Sequence, residues 1–198
     1  MTDLKKPAGP PTYERILDAA THLFAKYGYY GVSTREIANA AQVNEVTVFR
    51  YYPHKHDLYV AVVKSGLEQL QLRGDLLNRI AEAGNSRMAL VRTFELIEKT
   101  LMQRPELLRL LQYRALDLGE EFDPLVRAHL GELVVIVARY LEPWVRNGEL
   151  QCKNTKIVVL ALISIVISYG SLQRVFQGEE FSLTGMFESC AEMYSHRN

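Results

Sequence analysis

The stretch that decides the fold runs Ser33-Thr34-Arg35-Glu36-Ile37-Ala38-Asn39-Ala40-Ala41-Gln42-Val43-Asn44-Glu45-Val46-Thr47-Val48-Phe49-Arg50-Tyr51-Tyr52-Pro53. Its first four residues spell a capping box, in which the Ser33 hydroxyl accepts from the amide of Glu36 and the Glu36 carboxylate accepts from the amide of Ser33. The helix this opens is short and ends near Ala41. Asn44 then offers a second cap, for another short helix that must stop before Pro53, because proline disfavours helical backbone at the residue ahead of it. Two helices of two turns each, joined by about three residues, do not persist alone. They must lie on the segment before them, where Ile16, Leu17, Ala20, Leu23, Phe24 and Tyr27 recur at three- and four-residue steps on one helical face. Thr12 is placed to cap that helix, and Gly28 falls where a left-handed C-terminal residue belongs. Three helices in this order make a helix-turn-helix unit.

Beyond Lys55 the periodicity predicts longer helices over 57–82, 86–103, 105–117, 124–147, 154–176 and 183–196, about nine helices in all. Pro105 and Pro124 sit at first-turn positions, the latter behind Asp123 as cap; Gly119, Gly148 and Gly178 mark helix ends. Pro143 lies inside its helix and is expected to bend it just before Trp144. There is no sustained period-two alternation and no Asn-Gly hairpin signal, so the fold class is all-α. The expected organisation is a flexible tail over 1–11, a three-helix helix-turn-helix domain over 12–58, and a helical domain over 59–198.

The 198 residues are 48% hydrophobic and 23% charged, the profile of a folded globular chain rather than a disordered or low-complexity one. Lys and Arg number 23, as do Asp and Glu, so bulk charge argues for neither nucleic acid nor anionic membrane, and any case for DNA rests on a local motif. Cys152 and Cys190 are too few for a disulfide framework, which points to reduced thiols in the cytoplasm. The longest uncharged run, Ile157 to Gln173, falls short of the ~20 apolar residues of a spanning helix, and the first eleven residues carry no apolar stretch of a signal peptide. No membrane association is expected. His54 and His56 cannot share a helix face, and no other spacing suggests a metal. Nor is there a nucleophile elbow, a zinc-protease helix or a phosphate-binding glycine loop. Nothing here points to an enzyme or to a cofactor.

Within 45–52, Val48 and Tyr52 are four apart and face one way, with Val43 just before them. Asn44, Thr47 and Tyr51 form the opposite stripe, flanked by Glu45, Val46 and Arg50. An inward apolar face backed by small polar and hydroxylic groups suits a helix in a major groove; a solvated amphipathic surface helix is the plainer alternative.

The pattern Tyr27-Gly28-x-x-Gly31-Val32-Ser33-Thr34-Arg35-Glu36-Ile37-Ala38, then Ala41-Gln42-Val43-Asn44, then Thr47-Val48-Phe49-Arg50-Tyr51-Tyr52-Pro53-His54-Lys55 resembles the tetracycline-repressor (TetR/AcrR) family of transcriptional regulators over residues 13–60. The resemblance implies DNA contacts from Thr34, Arg35, Asn44, Glu45, Val46, Thr47, Phe49, Arg50, Tyr51 and Lys55. Of these, Thr34, Tyr51 and Lys55 would meet phosphates, and the residues of 44–50 bases and backbone. Four positions depart from the usual pattern: Gln42 stands for a glycine in the turn, Val46 for a glycine, Phe49 for a tyrosine and His54 for a Ser or Thr cap. A left-handed Gln42 would cost about 1 kcal/mol. Residues 1–60 hold seven Lys/Arg against six Asp/Glu, a net of one positive charge, so dimerisation is expected to supply much of the affinity.

The segment 154–176 is apolar nearly all round and must be covered on both sides. The family resemblance implies a dimer interface of the two C-terminal helices, here Ile163, Ile167, Gly170, Ser171, Phe187, Cys190 and Tyr194. Phe94, Ile97, Leu101, Leu110, Tyr113, Phe122, His129, Leu133, Tyr140, Trp144 and Tyr169 are spread over helices that would surround a cavity. Arg114, His129 and Arg139 are charges that could orient a ligand there. The function so implied is a ligand-responsive, homodimeric repressor of a palindromic operator, released by a small, largely apolar effector. Two rivals stand beside it: an architectural or cell-division DNA-binding protein of the same fold with a protein partner, and a carrier or degenerate enzyme that no longer binds DNA.

Overall fold

The computed structural model describes residues 10–117, 123–175, 185, 187 and 188. Among them are nine α-helices and no strand: α1 Thr12–Tyr27, α2 Thr34–Ala40, α3 Glu45–Tyr51, α4 Lys55–Glu68, α5 Gly74–Ala81, α6 Ser86–Met102, α7 Pro105–Asp117, α8 Asp123–Arg146 and α9 Thr155–Val175. The chain divides into two compact units, Met1–Ser65 and Gly66–Asn198, so the division falls inside α4, seven residues past the boundary expected after residue 58.

In the first unit α1 buries Ile16, Ala20, Phe24 and Ala25. Leu17 and Leu23 are half-buried, while Tyr27 is exposed, with the Lys26 ammonium 4.9 Å from its ring centre. Tyr27 thus leaves the apolar face assigned to it and meets a cation at the last turn instead. Thr12 does not cap α1; Pro11 holds the cap position and no side chain bonds there. Gly28 ends the helix at φ 75°, ψ 171°, a conformation essentially restricted to glycine, and its amide reaches the Phe24 carbonyl at 2.9 Å. Phe24 meets Tyr59 edge-to-face at 5.1 Å, and Tyr29 meets Tyr59 at 5.3 Å, an aromatic cluster that ties α1 to α4 within this unit.

The expected single helix 57–82 is two helices, α4 and α5. Chain 69–73 leaves the helical path after the Leu70 amide bonds the Leu67 carbonyl, and Arg73 pairs with Asp75 at 2.8 Å as α5 begins. The apolar series Leu67, Leu70, Leu72, Leu76 and Leu77 continues through the break because Leu70 and Leu72 pack on the same core as the helices. Pro105 opens α7 as expected, and α8 continues through Pro143, whose missing amide leaves the carbonyl of exposed Arg139 without its usual helical donor. Gly148, at φ 82°, closes the turn after α8. The core runs through α5, α6, α8 and α9, from Leu76 and Ile80 through Phe94 and Ile97 to Val137, Leu141, Val159 and Val166. Gly119, Gly178 and most of the expected helix 183–196 lie outside the described residues.

Candidate nucleic-acid interface

The capping box forms as the sequence predicts: Ser33 Oγ accepts from the Glu36 amide at 3.2 Å, and Glu36 Oε2 accepts from the Ser33 amide at 2.7 Å. The Ser33 amide, and the Ser33 hydroxyl donating to the same Oε2 at 2.7 Å, hold the Glu36 carboxyl below its ordinary range. α2 ends in a Schellman motif, with the Val43 amide on the Ala38 carbonyl at 2.9 Å and the Gln42 amide on the Asn39 carbonyl at 3.1 Å. That motif places Gln42 at φ 55°, the left-handed conformation for which a glycine is the usual residue. Asn44 follows as the cap of α3, its Oδ1 accepting from the Val46 amide at 3.0 Å. Three consecutive backbone devices therefore set α3 against α2, and the fully buried Val48 anchors it, with Val43 and Tyr52 half-buried beside it.

The outward side of α3 carries Val46, Phe49, Arg50 and Tyr51, all exposed, with Glu45 and Thr47 half-buried at its edge. Two contacts here went unforeseen. The Thr34 hydroxyl donates to Glu45 Oε1 at 2.6 Å, linking the first residues of α2 and α3 and committing the proton expected to go to a phosphate. The Arg50 guanidinium lies over the Tyr51 ring, 5.5 Å from its centre. At the start of α4, the Lys55 ammonium sits 4.3 Å from the centre of the Tyr29 ring; partial burial lowers its pKa, with the Glu36 charge opposing that shift. His54 forms only half a capping box, its amide donating to Asp57 Oδ2 at 3.0 Å, since no hydroxyl is there to return the bond.

The residues assigned to a ligand and to a dimer divide differently. Ile97, Leu101 and Leu133 come together, with Leu72, Thr100, Leu130 and Ile163, around a shallow apolar recess that is partly open to solvent and too narrow for a water-sized group. Thr100 was missed because a hydroxyl reads as polar; here it donates back to the Leu96 carbonyl at 2.7 Å and offers its methyl to the recess. Phe94 does not face that recess: it stacks on Phe187 with ring centres 4.2 Å apart. Phe187 and Ile163, both expected at a dimer interface, are buried in the chain's own core. His129, Tyr140, Trp144, Tyr169 and Ile167 are half-buried, Leu110 is buried, and Arg139 is exposed. The Ile167 carbonyl accepts from Gln112 Nε2 at 2.7 Å. The side chains of Tyr113, Arg114, Phe122, Gly170, Ser171, Cys190 and Tyr194 fall outside what the structure describes. Among the described residues of α9, the large apolar groups left exposed are Ile157, at 64%, and Leu160, at 52%.

A bihelical unit with a glycine-type turn and a capped, outward-facing second helix defines a helix-turn-helix DNA-binding regulator. Residues 16–62 match the model of the bacterial regulatory proteins of the tetR family. An uncharacterized HTH-type transcriptional regulator of Bacillus subtilis (strain 168), YvkB, is 28% identical over 166 residues, 80% of this chain and 81% of its own. Among solved structures, a tetR-family regulatory protein from Rhodococcus RHA1 superposes with a TM-score of 0.69 at 21% identity, covering 96% of this chain and all of that one. AibR, solved in complex with isovaleryl coenzyme A and operator DNA, gives 0.63 at 16% identity over 93% and 98% of the two chains. Over residues 16–62 the chain thus matches the DNA-binding segment of the tetR-family regulators, and the proteins similar to it along most of its length carry the names of transcriptional regulators. Among the described residues, no helix is long and apolar enough to cross a membrane.

Proposed function

We propose that the protein is a cytoplasmic homodimeric repressor whose α2–α3 units read the two halves of a palindromic operator and whose second unit senses a small, largely apolar effector. The observation that carries this reading is α9. Its Ile157, Leu160, Ala161, Ser164 and Ser168 form one exposed stripe, and the Ser164 hydroxyl is already spent on the Leu160 carbonyl at 2.9 Å. A long stripe of aliphatic and self-satisfied small groups is suited to the same stripe of a second copy around a twofold axis. The DNA contacts in this reading are Thr34, Arg35, Asn44, Glu45, Val46, Thr47, Phe49, Arg50, Tyr51 and Lys55. AibR was solved with an acyl thioester of coenzyme A and with operator DNA, which makes short and long acyl-coenzyme A esters the first effectors to try.

The test is selection of genomic fragments by the purified protein at about 0.15 M salt, where phosphate-only binding is weak. Enrichment of an inverted repeat bound by two copies is expected, and binding that stays strictly monomeric with no preference for inverted repeats refutes the reading. A saturating effector must then favour the DNA-free form by about 5 kcal/mol to empty a filled operator. One observation favours the rival without a small ligand: the recess around Ile97 and Leu133 has no room even for a water-sized group, against the ~300–1,000 Å³ typical of ligand pockets. Operator affinity unchanged both by small apolar ligands and by the larger, anionic acyl-coenzyme A esters would select that rival.

A further inference from the structure

We infer that the recognition helix reads thymine methyl groups at two base pairs in each operator half-site, using Val46 and Phe49. This rests on the DNA-binding reading above and names what that site recognises. Val46 is 74% exposed and Phe49 43% exposed, two large apolar side chains held in water on a seven-residue helix. Being three residues apart, they form one ridge on the outward side of α3. Two of the polar groups beside them are committed inside the unit: Asn44 Oδ1 accepts from the Val46 amide, and Glu45 accepts from the Thr34 hydroxyl. Arg50, over the Tyr51 ring, stays exposed at the edge of the ridge. The ridge itself offers a base pair apolar surface and no donor or acceptor. In a major groove the apolar feature that a base pair presents is the C5-methyl of thymine, which also distinguishes A·T from T·A by its position. Residues 46 and 49 are separated by about 4.5 Å along the helix axis, so the two methyls belong to base pairs within about two steps of each other.

The experiment begins with selection from a random duplex library, using the full-length protein. Each thymine of the selected site is then replaced in turn by deoxyuridine, which removes the methyl and nothing else, and equilibrium affinity is read by fluorescence anisotropy. At two positions per half-site the loss is expected to be about fourfold for each methyl, the effect of burying one such group. Val46→Ala and Phe49→Ala, exposed positions whose truncation leaves the fold intact, should each abolish discrimination at one of those positions. Phe49→Tyr, which keeps the ring edge, should retain it. If every deoxyuridine site binds like its thymine parent, methyl reading is overturned while DNA binding stands. If no sequence is enriched, DNA binding itself fails, and this inference with it.

Discussion

Gln42 provides a test in which the sign alone decides. It occupies the left-handed position of the Schellman motif that ends α2, at φ 55°. A side chain bearing a Cβ is strained there by about 1–2 kcal/mol, and glycine is not. Against that stands the greater freedom glycine brings to the unfolded chain, about 0.4–1 kcal/mol. The Gln42 side chain is exposed, and the bond from its amide to the Asn39 carbonyl survives any non-proline substitution, so no further contact enters. Gln42→Gly should therefore stabilise by about 0.5–1 kcal/mol.

Gln42→Ala is the informative partner, because it keeps the Cβ and discards the rest of the side chain. In helical or extended backbone alanine is the more stable residue by about 0.5–1 kcal/mol; at Gln42 the order should reverse. The two cases thus differ by about 1–2 kcal/mol, well clear of the error of denaturant titrations at constant m-value. Gln42→Asn should fall between glycine and alanine, since its short amide tolerates the left-handed region. An alanine variant as stable as the glycine variant would refute the turn geometry, and with it the orientation of α3 against α2 derived from that turn.

Other outcomes follow from the same coordinates. A Cβ on Gly31 would stand 2.3 Å from the Tyr27 carbonyl oxygen, so Gly31→Ala should destabilise the first unit by about 1–3 kcal/mol; an unchanged melting temperature would deny that approach. Glu36, held below the ordinary carboxylate range by the Ser33 amide and hydroxyl, contributes stability above the carboxyl's unfolded pKa and loses it as pH falls through the lowered folded value. Glu36→Gln keeps an acceptor for the Ser33 amide without the charge, so its melting temperature should fall less steeply with acid, and parallel pH profiles would contradict this. Leu160→Glu places like charges opposite each other across the proposed twofold axis; a folded monomer by circular dichroism and sedimentation equilibrium is expected, and an intact dimer would exclude that face.

The helix-turn-helix was legible because it is written in local backbone chemistry. Ser33, Glu36 and Asn44 each satisfy an amide within three residues, and Gln42 fills a turn whose geometry is fixed by the chain on either side. What the sequence concealed there were the contacts between side chains on separate helices. The Thr34 bond to Glu45 and the Lys55 position over Tyr29 depend on how two elements meet, and residue type alone cannot rank them against a phosphate. The break between α4 and α5 was hidden for a related reason. Leu70 and Leu72 carry an apolar rhythm through non-helical chain because the core covers both helix and linker.

In the second unit the difficulty is one of symmetry. A helix apolar on every side has no inside until its neighbours are placed. On α9, Val159, Leu162, Ile163 and Val166 turn inward, while Ile157, Leu160 and Ala161 stay out, though residue type does not separate the two sets. The same placement explains why Ile163 was assigned to an interface and is buried in the chain's own core. It also gives the proposed regulator a mechanical logic. Ile163 lines the apolar recess, and the opposite stripe of the same helix is the proposed dimer face. In the proposed dimer, a ligand that enlarged the recess would have to move a helix that also carries the proposed interface, so closely packed side chains on its two faces would couple the recess to the spacing of the two copies.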